Sequence, residues 1–453
     1  MNIKKITLYG KILFLLSICF YIAQAKEKTI TTKNPSWTFM VYMAAANDLE
    51  IFAPRNLRQM EKVGSNSHVN IIVQHNIYEK NKPYSTTYFI EKGSKKIIRE
   101  EKEAGDSGHM QTLIDFCCNT MNSYPADHYA LILWNHGTGI LEPVTRSYLS
   151  ISEVFSLTDM PVFFNKEYKN FPPLPLLANH TKQHHYKGIC FNDSSGNFLN
   201  EQQLTTALKT ICATSLNGKK IDLLGFDACL MSMVEIALSI EPYVDIMVAS
   251  QDVERGTGWD YYYALYPFLS TTVTPEQLGI HLVHAYAKAY KKTSDFTQTC
   301  LDLKNINPLI KNISRVAFLL QDFLKSNMTV KVKNLIKGSR NKHFCTHFDE
   351  PEFIDLYHFY ENLLTNLAKF SNDTELNIAE LKKELEQGKI IIKESVLENI
   401  SGNAYPHAHG ISIYFPEYII HSSYRRSLFA QSTYWPIFLK TYLSACKNSR
   451  YTT

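Results

Sequence analysis

Two apolar runs in this chain each stop at a reactive side chain. One is Ile221-Asp222-Leu223-Leu224-Gly225-Phe226-Asp227-Ala228-Cys229. The other is Ala130-Leu131-Ile132-Leu133-Trp134-Asn135-His136-Gly137. Both read as short buried strands, and in an open α/β sheet ligands and chemistry gather at the carboxyl ends of parallel strands. A thiol and an imidazole brought together there make a nucleophile with a proton-handling partner.

The rest of the pattern supports such a sheet. Trp37 to Ala44 and Val69 to Gln74 are strand candidates, and Asn47-Asp48-Leu49-Glu50 caps a helix running to about Val63. Tyr84–Ile90 and Lys96–Arg99 read as an antiparallel pair around Lys92-Gly93-Ser94. Strands and helices then alternate: a helix from Asp106 to about Met121, the run at Tyr129–Trp134, a helix near 200–212, and the run at 221–226. A helix from Cys229 to about Ile240, a strand at 244–249, a helix near 275–291 and a strand at 297–302 follow. Alternation of this kind predicts an α/β fold, a mostly parallel sheet flanked by helices. Residues 140–186 interrupt it with five prolines and little periodicity. A loop that long inside a domain is usually functional or disordered. Residues 305–390 are mainly helical, Ile411 to Phe415 is a short strand, and Trp435 to Cys446 is a closing helix.

The first 25 residues stand apart. Lys4, Lys5 and Lys11 precede the apolar stretch Ile12 to Ala23, and Ala23-Gln24-Ala25 has the form of a cleavage site. This is the pattern of a signal peptide, so a secreted, periplasmic or otherwise exported protein is expected. That apolar stretch is well short of the ~20 residues a membrane span needs, and no other segment is apolar for long enough. The formal charge is +4, and removing residues 1–25 takes away three lysines and no acid, leaving +1. Near-neutrality gives no electrostatic case for nucleic acid. The eight cysteines beyond Cys19 have no scaffold spacing and no CxxC pair.

A free thiol is mostly protonated at neutral pH and needs help to ionise. If Leu230 to Ile240 is helical, Cys229 sits at a helix N-terminus, where partial positive charge favours thiolate. His136 is placed to exchange a proton with the thiol or with a leaving group. The N–H groups of Gly137 and Cys229 are candidates for an oxyanion hole.

Five segments, in this order, resemble the clostripain family of cysteine peptidases. They are Trp37 to Ala45 with Asn47-Asp48-Leu49-Glu50; Leu131 to Gly137; Asp193-Ser194-Ser195-Gly196; Leu224 to Met231; and Gly410 to Pro416. The resemblance implies the caspase-hemoglobinase fold and a catalytic dyad of His136 and Cys229. It places a caspase-like peptidase domain at 26–304, with the inserted loop 140–186, and a C-terminal helical region at 305–453 with a strand near 411–415. The family cleaves after arginine or lysine, so protein or peptide substrates with a basic P1 residue are implied. Asp227 matches the acidic residue associated with the P1 pocket; a turn or helix-cap role is its plainer alternative. Asp252 and Glu254, after the following strand, are candidates to add charge to that pocket, with a solvated loop as the competing reading. Family members can self-activate by cleavage after the catalytic histidine; Arg146, Lys166, Lys169 and Lys182 in the loop, and Lys187 just after it, supply candidate cut sites. No organic cofactor is required. Calcium activates some members; no twelve-residue calcium loop is present, so a calcium site stays possible and unassigned. Asn135 departs from the family pattern, standing where an acidic residue is expected.

His180, His184 and His185 have helical metal-ligand spacing, but with no acid or cysteine beside them a solvated loop is the better reading. The expected activity is therefore an exported cysteine endopeptidase. The competing possibilities are a non-catalytic binding protein that kept the fold, and a transpeptidase or ligase using the same acyl-enzyme.

Overall fold

The computed structural model describes residues 34–79, 82–102, 105–141, 188–370 and 376–448. Residues 1–25, the five candidate cut sites, and His180, His184 and His185 lie outside the described residues.

The strands are β1 Trp37–Ala44, β2 Val69–Glu79, β3 Lys82–Glu91, β4 Ser94–Lys102, β5 His128–Trp134, β6 Ile189–Asn192, β7 Asn197–Leu199 and β8 Ile221–Asp227. They continue with β9 Val244–Ala249, β10 Thr297–Asp302, β11 Phe353–Asp355, β12 Val396–Ser401 and β13 Ser412–Tyr414. Nine of them form one sheet in the order β12-β10-β9-β8-β5-β1-β2-β3-β4. The five central strands β9, β8, β5, β1 and β2 run parallel. Antiparallel strands extend both sides: β10 and β12 at one, β3 and β4 at the other.

The central strands are near-continuous apolar runs because both of their faces are covered. Alternate side chains of β1 go to opposite layers. Trp37, Phe39, Val41 and Met43 join one core, while Met40, Tyr42 and Ala44 join the other. The first layer is closed by the helices Ala53–Val63 and Pro275–Tyr290, through Leu57, Met60, Leu278 and Tyr286. The second is closed by Met110–Ser123, Glu201–Ser215 and Val234–Ile240. The helices Ile306–Lys325, Leu356–Leu367 and Trp435–Asn448 contribute to that same second core.

Several elements differ from expectation, among them strands β6, β7 and β11, which were not anticipated. The helix expected from Cys229 begins only at Val234, and Leu230 has φ +63°. A leucine in the left-handed region cannot continue a helix, so Cys229 lies in a turn, not at a helix N-terminus. Strand β10 runs antiparallel to β9, although a helix precedes it. Strand β12 was not anticipated, and it carries residues 396–401 back to the edge of the main sheet. All eight cysteines beyond Cys19 are free thiols.

The chain order fixes where chemistry can collect. β2 lies on one side of β1 and β5 on the other. The β1/β5 boundary is therefore a switch point, and a crevice opens at the carboxyl ends of the strands beside it. Asp48 follows β1, His136 follows β5 and Cys229 follows β8.

Candidate active site

β5 and β8 pair in register, with Trp134 beside Asp227. His136 and Cys229 each lie two residues beyond that pair. The two turns touch: a Cβ built on Gly137 would stand 2.3 Å from the Cys229 carbonyl oxygen. His136, Cys229, Asp227, Glu254, Trp134 and Leu49 line one pocket. Its volume is about 30 Å³, room for a water molecule or two. An arginine or lysine side chain does not fit that space as it stands.

Cys229 is half-buried. The Glu254 N–H donates to its Sγ at 3.3 Å. Burial, before any other cause, pushes the thiol up to about 12. The charges of Asp252 and Asp349 push the same way, and the Glu254 N–H bond opposes them. The thiol is therefore protonated at neutral pH in this form, and no helix end favours the thiolate.

His136 Nε2 lies 2.6 Å from Asp48 Oδ1. Sequence reasoning placed Asp48 in a helix start and in a segment resembling the family, gave it no role at the site, and so missed this contact. The available signal was topological: Asp48 follows β1, the strand next to β5. Two asparagines hold the turns. Asn47 Nδ2 donates to the Ala44 and Phe191 carbonyls, each at 2.9 Å. Asn135 Nδ2 donates to the same two carbonyls at 2.5 and 3.2 Å, and the Phe191 N–H donates to Asn135 Oδ1 at 2.8 Å. A carboxylate at 135 could not donate, so asparagine fits a position that must both give and accept. Gly137 itself bridges to Ile189.

Asp227 is buried at the pocket's inner end. The Tyr261 hydroxyl donates to its Oδ2 at 2.8 Å, and the Trp259 N–H donates to its Oδ1 at 3.1 Å. Glu254 accepts from Trp259 Nε1 at 3.1 Å, and its other oxygen, Oε1, is buried. Burial, then the Asp227 charge, push the Glu254 carboxyl well above the usual carboxylate range. Burial raises Asp227 as well, and the Tyr261 and Trp259 bonds hold it back. Two neighbouring buried carboxyls cannot both ionise cheaply, so the pair carries one negative charge, on Asp227. Gly258 has φ +62°, and a Cβ there would stand 2.8 Å from Asp227 Oδ1. Gly256 and Gly258 also line the pocket.

Asp252 is not among the lining residues. Its Oδ1 accepts from the Asp349 N–H at 2.8 Å, and its own N–H donates to Ser250 and Thr297 hydroxyls. Its place is in the bracing of the 250–254 loop.

A sequence model described as the Clostripain family matches residues 41–150 and 177–441. The chain is 23% identical over 393 residues to the clostripain of Hathewaya histolytica, taking in 75% of this chain and 66% of that one. It therefore spans just under two thirds of that relative's length. Among solved structures, an inactive zymogen C11 protease from Parabacteroides distasonis matches with a TM-score of 0.58 and 17% identity. That match covers 89% of this chain and 99% of that one. A secreted C11 cysteine protease from Bacteroides thetaiotaomicron, in complex with an irreversible peptide inhibitor, matches with a TM-score of 0.55, 17% identity and the same coverage. At these identities the structural likeness is one of fold.

Proposed function

The chain belongs to the clostripain family of cysteine peptidases, and from that membership we propose an exported endopeptidase cutting after arginine or lysine through Cys229 and His136. The observation that carries the reading is the shared pocket: thiol, imidazole and a buried carboxylate line one crevice at the ends of β5 and β8.

In the proposed reaction, His136 takes the Cys229 proton as sulfur attacks the peptide carbonyl carbon. The N–H groups of Gly137 and Cys229 are assigned to the developing oxyanion. His136 then gives its proton to the departing amine, leaving a thioester. Water, deprotonated by His136, hydrolyses the thioester and restores the thiol. Asp227, with Glu254 beside it, is assigned the charge that meets a P1 guanidinium or ammonium. Asp252 acts from behind, by holding the loop that carries Glu254.

The protonated thiol and the small pocket fit a precursor. We propose activation by cleavage in the loop 140–186, where Arg146, Lys166, Lys169 and Lys182 are the candidate sites, or just after it at Lys187. The signal-peptide pattern of residues 1–25 supports export. No helix among the described residues is long and apolar enough to cross a membrane. No cofactor enters the proposed steps. Among the described residues no three His, Cys, Asp or Glu side chains come together as a metal site, and no residue is assigned to calcium.

The test is cleavage of a mixed peptide library by the activated wild type and by Cys229→Ala. Cuts after arginine and lysine are expected, with a loss of more than ~10³-fold in the variant. Cleavage by the variant would overturn the mechanism. Cuts without basic preference would overturn the Asp227 and Glu254 assignment and leave the nucleophile standing.

A further inference from the structure

Asp48 and His136 belong to neighbouring turns built alike. Each follows an asparagine, and both asparagines donate to the same two carbonyls, those of Ala44 and Phe191. The end of β1 and strand β6 thus anchor both dipeptides. The bond between Asp48 Oδ1 and His136 Nε2, at 2.6 Å, joins side chains whose backbones share one anchor. This differs from a surface ion pair that costs two long side chains their freedom.

We propose that Asp48 is the positioning residue for His136, fixing both the ring's orientation and its tautomer; the proposal rests on the peptidase reading above. A carboxylate only accepts, so Nε2 must carry the proton that Asp48 receives. The neutral ring then has its lone pair on Nδ1. The thiol proton of Cys229 passes to Nδ1 as sulfur attacks, and the same proton leaves with the amine. The Nε2 proton stays on the ring throughout. Asp48 touches neither substrate nor sulfur and acts through His136.

The exposure of the pair decides how Asp48 acts. The side chains of His136 and Asp48 are 23% and 38% exposed. Water and salt screen the charge at that exposure. The contribution is therefore orientation and tautomer more than a large electrostatic gain, and a variant of equal size with the wrong hydrogen-bond polarity should be the most damaging.

Asp48→Asn and Asp48→Ala separate this from a structural role. The asparagine amide donates to Nε2 and drives the proton to Nδ1, the wrong nitrogen for accepting the thiol's. A loss of roughly 10²- to 10⁴-fold in kcat is expected for Asp48→Asn, with KM within about threefold. Asp48→Ala, which leaves either tautomer open, should lose less, although alanine is the more disruptive change for structure. The direct readout is the ¹⁵N spectrum of His136: proton on Nε2 in the wild type, on Nδ1 in Asp48→Asn. Wild-type kcat in Asp48→Asn, a greater loss in Asp48→Ala than in Asp48→Asn, or an Nδ1 proton in the wild type would overturn the proposal. If the wild type shows no Cys229-dependent cleavage, the peptidase reading fails, while the ¹⁵N spectra still decide whether Asp48 sets the tautomer.

Discussion

Gly137 leaves its neighbours no room. A Cβ at this position would lie 2.3 Å from the Cys229 carbonyl oxygen and 3.1 Å from the Met231 sulfur. The methionine can move; the carbonyl belongs to the backbone that carries the thiol. Gly137→Ala should therefore displace the two turns against each other. Displacements of about 1 Å at a reacting group cost on the order of 10²-fold in rate. A kcat loss of that size is expected, read in steady-state kinetics beside a folded far-UV spectrum. Unchanged kcat would show that the turns absorb the methyl group. At this scale the sequence was legible where a reactive residue ended an apolar run, as at Cys229 and His136. Asp48 was not, because an acid after an asparagine also looks like an ordinary helix start. Asn135 looked like a departure from pattern; the structure gives it three hydrogen bonds that a carboxylate could not all make.

The turn after β8 takes its shape from a distant part of the chain. Ser232 Oγ donates to the Gly410 carbonyl at 2.7 Å, and both the N–H and hydroxyl of Ser412 donate to the Ser232 carbonyl at 2.9 Å. Met233 bridges to Ser412, and the Tyr414 N–H donates to Glu235 at 3.0 Å. The segment around β13 thus clamps residues 232–235 just past the thiol. Ser232→Ala removes the donor to a buried carbonyl, a loss of about 1–3 kcal/mol. The expected result is a lower urea midpoint with an unchanged slope; an unchanged midpoint would mean that water replaces the hydroxyl. This clamp explains why the element was misread. Leu230, Met231 and Met233 carry the apolar spacing of a helix, but tertiary contacts override it and leucine gives no warning of a positive φ. The parallel strands were legible because burial on both faces demands unbroken apolar runs. β12 was not, since all six of its residues are only half-buried and show no alternation.

Across the whole molecule, the helices after residue 305 share a core with the sheet, and a buried carboxyl, Glu235, lies near a half-buried one, Glu201. Glu235 is fully buried, accepts from the Tyr414 N–H and the Tyr424 hydroxyl, and its Oε2 has no hydrogen-bond partner among the described residues. Burial raises its carboxyl to about 7, and the Glu201 charge adds to the rise. Glu201, also raised to about 7 by burial, accepts from the Leu428 N–H. The folded chain therefore keeps protons that the unfolded chain releases near the ordinary value of 4.5. Stability from these groups is fully present below about 4.5, declines as pH rises toward 7, and is lost above it. For Glu235 the difference corresponds to about 3 kcal/mol. Calorimetry should show Tm falling between pH 5 and 7.5 in the wild type. Glu235→Gln, which keeps an acceptor for Tyr414 and Tyr424 but cannot ionise, should fall less steeply over the same range. Melting curves of the variant that run parallel to the wild type at every pH would show that Glu235 does not carry this dependence.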